Sequence, residues 1–465
     1  MKERGNRILK TIDRLIGPVI VYSLGLYRKA LKLPLEGKWL RSNRKGELIS
    51  ENFVLDKEEN FPLVKSPLRL TTQVTSPLVE ALGNIKSNNC KVSFFYKRNP
   101  LKLKFLLIKT AAIGDTILLS SVIQEIKVSF PKASISLLCA KNNYEAAKLL
   151  DNIDEIIVFD FASLLSSLKK VIKLHKFDYV IDFAQWDKIS AIISAFVKAD
   201  CKVGFYRKNM YRHYAYDYYA EHSDDCHEIE NYRKLLELIG IKCQKFLPKI
   251  DASQNQIFGD TAMKILPQSF GGGGLQSKTE GAAMQSIAVE EVFNKEYVVF
   301  HMFPGGSLQN LKKWPVKNWF ELACKINKEY GYSILLTGAK ADLEEAKAFC
   351  EMLKEEKIPF YNAVGALSLD ETTSILIRSK LLVSVNTGIM HLAAALNVPL
   401  IVINGATSVK RWGPLSNNSF SLYAKLDCYP CISLGFESKC QNPKCLESIS
   451  PDLVFEKVRK VVGDR

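Results

Sequence analysis

The chain reads as an α/β protein made of two units, each a parallel sheet with helices packed on both faces. Three observations predict this class. Short apolar runs suited to buried strands alternate with helical stretches over residues 104–239, and the alternation resumes over 297–403. The stretch between them, Asp251–Glu290, holds Pro267, four consecutive glycines (Gly271–Gly274) and many Ser and Gln, so it reads as an interdomain loop. In both halves, strand ends open into glycine-bearing turns that start helices, the edge at which α/β sheets hold anionic ligands.

In the first unit, Lys104–Lys109 is a strand and Thr110–Thr116 a turn carrying Gly114 and Asp115. A helix follows and ends at Pro131. Strands at Ser134–Cys139, Glu155–Phe159, Tyr179–Phe183 and Lys202–Phe205 alternate with helices near 162–175 and 188–197. Cys226–Ile239 reads as a further helix, whereas Tyr206–Tyr219 has no clean period. The second unit begins at Tyr297–Phe303, followed by Pro304-Gly305-Gly306. Pro315 opens a helix to Tyr330. A strand at Tyr332–Thr337 and helices at Asp342–Glu355 and Asp370–Ser379 lead to Leu381–Leu415. That stretch contains two apolar strands, Leu381–Val385 and Pro399–Ile403. They end at Asn386-Thr387-Gly388, where Asn or Thr suits a helix cap, and at Asn404-Gly405-Ala406-Thr407.

The expected division is therefore 1–34, a helical segment; 35–100, an irregular linker or insert with several prolines; 101–250, the first Rossmann-like unit; 251–295, the loop; 296–450, the second unit; and 451–465, a final helix opened by Pro451. Two Rossmann-like units joined by a loop imply a cleft between them.

Composition bounds the function. The chain has 465 residues, 47% of them hydrophobic, enough for sizeable cores. A formal net charge of +15 favours an anionic partner: nucleic acid, an acidic membrane surface or a phosphorylated substrate. Zinc-finger and RRM patterns and long Lys/Arg tracts are missing, so nucleic acid is not expected. In the first 34 residues, Lys2, Arg4, Arg7, Lys10 and Arg14 precede an uncharged run from Leu15 to Tyr27, and Arg28, Lys29 and Lys32 follow. The run is shorter than the about 20 residues a spanning helix needs. A basic apolar helix lying on an anionic leaflet fits this pattern, as does a helix packed on the protein itself.

Several residue groups suit chemistry. Asp115, at a helix start facing the cleft, is placed either to assist the helix N-terminus or to accept a proton as a general base. Lys312 and Lys313 follow a Gly-rich turn and are either solvated or set to meet a diphosphate. Arg207, Lys208 and Arg212, interleaved with tyrosines, form either a solvated loop or a surface for an acidic acceptor. Of eleven cysteines, seven are scattered and suit a reducing compartment. The other four, Cys428, Cys431, Cys440 and Cys445, are open to three readings: structural zinc, disulfides or clustered free thiols. A catalytic metal has no ligand cluster to suggest it.

Taken together, the motifs resemble those of the ADP-heptose:lipopolysaccharide heptosyltransferase family, glycosyltransferase family 9. Ile108–Thr116 (IKTAAIGDT) is similar to its K-x-x-x-[IM]-G-D turn. Pro304-Gly305-Gly306 with Lys312-Lys313-Trp314-Pro315 is similar to P-G-x…K-x-W-P, and Asn386–Ala395 to D-[ST]-G-x-x-H-x-x-A-A. Gly405-Ala406-Thr407 with Arg411-Trp412-Gly413-Pro414 is the fourth match, and the cysteine cluster also recurs in many members.

The resemblance implies a GT-B fold and an inverting transfer from an ADP-sugar, with no cofactor required, to a lipid-linked acidic glycan on the inner face of the bacterial cytoplasmic membrane. It implies Asp115 as base. The donor would meet Lys312, Asn386, Thr387, Gly388, His391, Gly305, Gly405 and Thr407, and the acceptor Gly114, Arg207, Lys208 and Arg212. Asn386 stands where the family usually carries Asp. The alternative is a non-catalytic relative that binds a sugar nucleotide or a glycan.

Overall fold

A computed structural model describes residues 36–42, 48–54, 102–251, 296–306, 308–432, 440 and 442–463. The expected helical segment at 1–34 and the loop core at 252–295 lie outside the described residues.

The first unit comprises β3 (Lys104–Ile108), α1 (Ile113–Ser129), β4 (Ser134–Ala140), α2 (Tyr144–Lys148), β5 (Glu155–Phe159), α3 (Leu164–Lys173), β6 (Phe177–Asp182), α4 (Lys188–Phe196), β7 (Ala199–Tyr206), β8 (Tyr218–Glu221) and α5 (Glu228–Glu237). Its six strands are all parallel, in the order β5-β4-β3-β6-β7-β8. The second unit comprises β9 (Tyr297–His301), α6 (Val316–Tyr330), β10 (Ser333–Leu336), α7 (Leu343–Glu355), β11 (Phe360–Asn362), α8 (Leu369–Arg378), β12 (Leu381–Val385), α9 (Gly388–Ala395), β13 (Leu400–Asn404), α10 (Val409–Trp412), β14 (Ser419–Tyr423), α11 (Lys444–Glu447) and α12 (Pro451–Val462). Its sheet repeats the same plan, β11-β10-β9-β12-β13-β14. Both orders are the doubly wound arrangement in which the chain reverses direction beside its first strand, leaving a crevice at the strand ends.

The apolar runs become strands because both of their faces are covered. In β3, Phe105 and Leu107 point into one core while Leu106 and Ile108 point into the other, and all four are fully buried. In β9, Val298 and Phe300 divide from Tyr297 and Val299 in the same way.

The two units touch where α1 and α9 begin. A methyl group on Gly114 would lie 2.6 Å from His391 Cδ2 and 3.4 Å from Gly388 Cα. One on Gly388 would lie 2.9 Å from Ile113 Cβ and 3.1 Å from the Gly114 nitrogen. Glycine at both positions therefore lets two helix starts meet backbone to backbone. Around this point Ile117, Ala146 and Leu149 of the first unit join the second unit's core, and the exposed pair Lys148–Asp370 spans 3.4 Å across the junction. The chain crosses over at Ile250, whose N–H donates to the Ala395 carbonyl at 3.1 Å.

Two differences from the sequence reading stand out. The 35–100 segment is not wholly irregular: β1 (Glu36–Ser42) and β2 (Leu48–Val54) pair as an antiparallel hairpin. Their mixed-charge sequences lack the alternation that marks a half-buried strand. Second, β8, β11 and β14 each close an edge of a sheet, where a strand has one neighbour and its apolar signal fades. The final helix, α12, packs within the second unit. Val454, Phe455 and Val458 are buried in the second unit's own core, and Lys325 of α6 pairs with Asp452 at 2.8 Å.

Two buried histidines add a pH dependence. His301, at the end of β9, shares a 3.0 Å hydrogen bond with Thr337 Oγ1, and burial pulls its pKa down to about 4. Burial and the nearby His227 pull His391 down to about 3.

Two outcomes are expected. Gly388→Ala costs about 2 kcal/mol through overpacking and separates the units in small-angle scattering; wild-type stability and dimensions would show that the contact is dispensable. As pH falls below 6.5 the unfolded chain gains protons at both histidines while the folded chain stays neutral there until about 4 at His301 and about 3 at His391. Stability therefore rises with pH across that window and is flat in these groups above it. Each histidine adds a slope of at most about 1.4 kcal/mol per pH unit. Urea unfolding of His391→Gln measures its share as a shallower acid slope.

Candidate active site

The site is built on the ends of β3, β9, β12 and β13, beside the Gly114–Gly388 contact. Asp115 lies in the first turn of α1, with its side chain 15% exposed. Its Oδ1 faces Lys109 Nζ at 3.0 Å and accepts from the Tyr232 hydroxyl at 3.1 Å, while Oδ2 accepts from the Ala112 N–H at 3.4 Å. The helix-start contact is long, and the closer partners of the carboxylate are side chains.

Lys109 directly follows β3 and is itself 1% exposed. Its ammonium is spent on Asp115, the Phe183 carbonyl at 3.2 Å and Gln185 Oε1 at 2.9 Å. Asn143 Nδ2 donates to the Lys109 carbonyl at 2.9 Å and to Thr116 Oγ1 at 2.8 Å, which ties the turn to the end of β4.

Facing Asp115, α9 starts at Gly388 with Thr387 in the cap position. Thr387 makes no capping bond. Its hydroxyl and that of Thr407, which is 8% exposed, are buried oxygens without a hydrogen-bond partner. Buried hydroxyls at two adjacent strand ends, beside the positive end of a helix, are what an anionic ligand would satisfy. Asn386 is turned aside: its Nδ2 donates to Asn404 Oδ1 at 3.0 Å and to the Trp412 carbonyl at 3.2 Å. Neutral His391 packs on Gly114.

Lys312 arrives from the second unit's Gly-rich turn. Its Nζ donates to the Gly305 carbonyl at 3.0 Å, and burial lowers its pKa from the usual lysine range. Gly405 lets this segment in, since a methyl group there would lie 2.9 Å from the Leu311 carbonyl oxygen. Lys313, by contrast, is paired with Glu345. Lys312 and the Thr387–Thr407 pair thus belong to one side of the cleft and Asp115 to the other.

The basic loop divides. Arg207 stacks on Trp186, its guanidinium carbon 3.5 Å from the ring centroid, and is held by Asp224 at 2.9 and 2.6 Å. Lys208 is exposed. Arg212, expected at an acceptor surface, is 0% exposed: it pairs with Asp182 and Tyr216, each at 2.8 Å, inside the first unit. It therefore presents no charge to the cleft, because it neutralises a buried carboxylate. Gly114 is a packing point between the units.

The sequence reading gave no role to Lys109, Tyr232, Arg411 or His227, although Lys109 and Arg411 lie within two of its motif matches. Arg411, 1% exposed, crosses from the second unit to Asp224 at 2.8 Å and lies 3.6 Å from Glu228. His227 caps α5, and its Nε2 is 3.0 Å from the Gly413 carbonyl. Lys109 had a signal, a charge closing an otherwise apolar strand; the others depend on contacts more than a hundred residues apart in sequence.

Of the four clustered cysteines, Cys445 is buried, Cys428 exposed, and Cys431 and Cys440 half-buried. Among the described residues, no group of three or more His, Cys, Asp or Glu is placed to hold a metal ion, and no helix is long and apolar enough to cross a membrane.

Comparison with known proteins agrees with this architecture. Among solved structures, E. coli ADP-heptose lps heptosyltransferase II superposes with a TM-score of 0.59 at 19% identity, covering 77% of this chain and 98% of that one. A family 9 glycosyltransferase from Veillonella parvula gives 0.59 at 17%, covering 77% and 97%. Lipopolysaccharide heptosyltransferase 2 of E. coli is 32% identical over 25% of this chain and 33% of its own length. Lipooligosaccharide heptosyltransferase 2 of Campylobacter jejuni is 26% identical over 34% and 49%. The chain thus spans about half or less of the length of these two curated relatives. The family model for glycosyltransferase family 9 (heptosyltransferase) matches residues 165–442, more than half of the sequence. The chain belongs to that family.

Proposed function

We propose that the protein is an inverting glycosyltransferase that moves heptose, or a related sugar, from an ADP-sugar to a lipopolysaccharide-type or other lipid-linked acidic glycan. The observation that carries this reading is the Gly114–Gly388 contact, which sets the Asp115 carboxylate on one lip of the cleft opposite the start of α9 on the other.

The donor lies on the second unit, its diphosphate over the N-terminus of α9, where the Thr387 and Thr407 hydroxyls gain their missing partner. Lys312 turns from the Gly305 carbonyl to the phosphates. Gly305, Gly405, Asn386 and His391 line the same side. Asp115 takes the proton of the acceptor hydroxyl as that oxygen bonds to the anomeric carbon. The bond from that carbon to the phosphate oxygen breaks on the opposite face, its electron pair leaves with ADP, and configuration inverts. Lys312 and the helix N–H groups receive the growing charge, so the protein itself supplies the electrostatic stabilisation. Arg207 and Lys208 offer cations to an acidic acceptor, and the net charge of +15 draws the enzyme to the inner face of the cytoplasmic membrane. The reading as a non-catalytic binder gains no support from a base that keeps both of its buried partners.

The test is ADP release from ADP-heptose with heptose-free lipopolysaccharide as acceptor. Asp115→Ala is expected to lower kcat about 1,000-fold, within the span of general-base effects, while ADP affinity by calorimetry stays near wild type. Lys312→Ala is expected to weaken ADP binding about 10-fold, in line with a charge-assisted bond. Wild-type turnover in the first variant, or unchanged ADP affinity in the second, refutes the corresponding role.

A further inference from the structure

The two oxygens of the Asp115 carboxylate are not equivalent. Oδ1 holds two strong donors, Lys109 Nζ at 3.0 Å and the Tyr232 hydroxyl at 3.1 Å. Oδ2 holds only the Ala112 N–H, at 3.4 Å. Tyr232 comes from α5, far along the chain, and is fully buried. Its ring meets Phe183 edge-on, with centroids 5.1 Å apart, and the Lys109 ammonium lies 5.3 Å from the ring centroid. Lysine, phenol and carboxylate therefore fix one another. Burial, with Asp115 and Glu228 nearby, raises the Tyr232 pKa well above the usual phenol range, so the hydroxyl keeps its proton and acts as a donor.

We infer that Tyr232 is a positioning residue for Asp115: with Lys109 it occupies Oδ1, orients the carboxylate and leaves Oδ2 as the oxygen that takes the acceptor's proton. This rests on the reading of Asp115 as the base. The reason for two donors is physical. A carboxylate on a helix start that is 15% exposed would otherwise rotate and hydrate. Two buried donors on one oxygen hold one orientation without blocking the other oxygen. The remaining groups around the cluster are His391 of α9, which is neutral, Glu228 of α5, which lies near Tyr232 and Lys109, and Arg411, which lies near Tyr232 and Glu228.

Tyr232→Phe removes one oxygen and keeps the ring packing. The expected result is a kcat about 10-fold lower in ADP release from ADP-heptose, with KM for the donor unchanged. That is smaller than the about 100-fold cost of a full ångström of misplacement. In protein labelled with 13C at aspartate carboxyls, the resonance missing from Asp115→Asn is expected to shift in Tyr232→Phe as the carboxylate loses a hydrogen bond, a readout independent of donor and acceptor identity. An unmoved resonance, or a kcat equal to wild type, overturns the inference while leaving Asp115 as base if Asp115→Asn is inactive. Wild-type turnover in Asp115→Asn overturns the underlying reading instead.

Discussion

The architecture depends on two backbones being able to touch. Gly114 and Gly388 begin helices in different units, and each leaves room for the other. A side chain at Gly388 would press on Ile113 and the Gly114 backbone, and one at Gly114 would displace the His391 ring. Asp115 is the residue after Gly114, and Thr387 the one before Gly388, so the geometry of the cleft is set within one residue of the contact. The positive ends of both helices converge there, which favours negative charge at the contact, and the Asp115 carboxylate supplies it on one lip.

Around that point the junction is polar and buried, an arrangement that is costly unless every charge is paired. Lys109 answers Asp115, Arg411 answers Asp224, and His222 lies 3.0 Å from Glu228. The contacts with His222, Lys109 and Arg411 outweigh burial and hold Glu228 down at about 2, so it stays ionised. These pairs cross elements and, through Arg411 and His227, cross units. An apolar junction of the same size would slide, whereas a set of directional pairs has one register. The fold has thus placed a costly network where position matters most.

The interior of the fold was legible in the sequence and its margins were not. β3, β6, β9, β12 and β13 could be read because both of their faces are buried, which forces continuous apolar runs. β8, β11 and β14 have one neighbour each, and their sequences, YYAE, FYN and SFSLY, carry too little apolar content to stand out. Asp115 and Thr387 could be singled out because glycine turns after strands are local features. Tyr232 and Arg411 were missed because their roles exist only once distant segments meet. Arg212 was misplaced for the converse reason. Its tyrosine-rich surroundings look like a surface, yet Tyr216 and Asp182 draw it inward.

Asn386 holds its place through its amide. The resemblance leads one to expect a carboxylate at this position. The structure gives its side chain two acceptors, Asn404 Oδ1 and the Trp412 carbonyl, and only an amide can donate to both. A carboxylate here would face two oxygens at hydrogen-bonding distance with no proton to share. Asn386 therefore ties the start of α9 to the end of β13 and to α10, whose Arg411 reaches the first unit. The amide thus joins three segments of the second unit at one side chain, and a carboxylate could not make either bond.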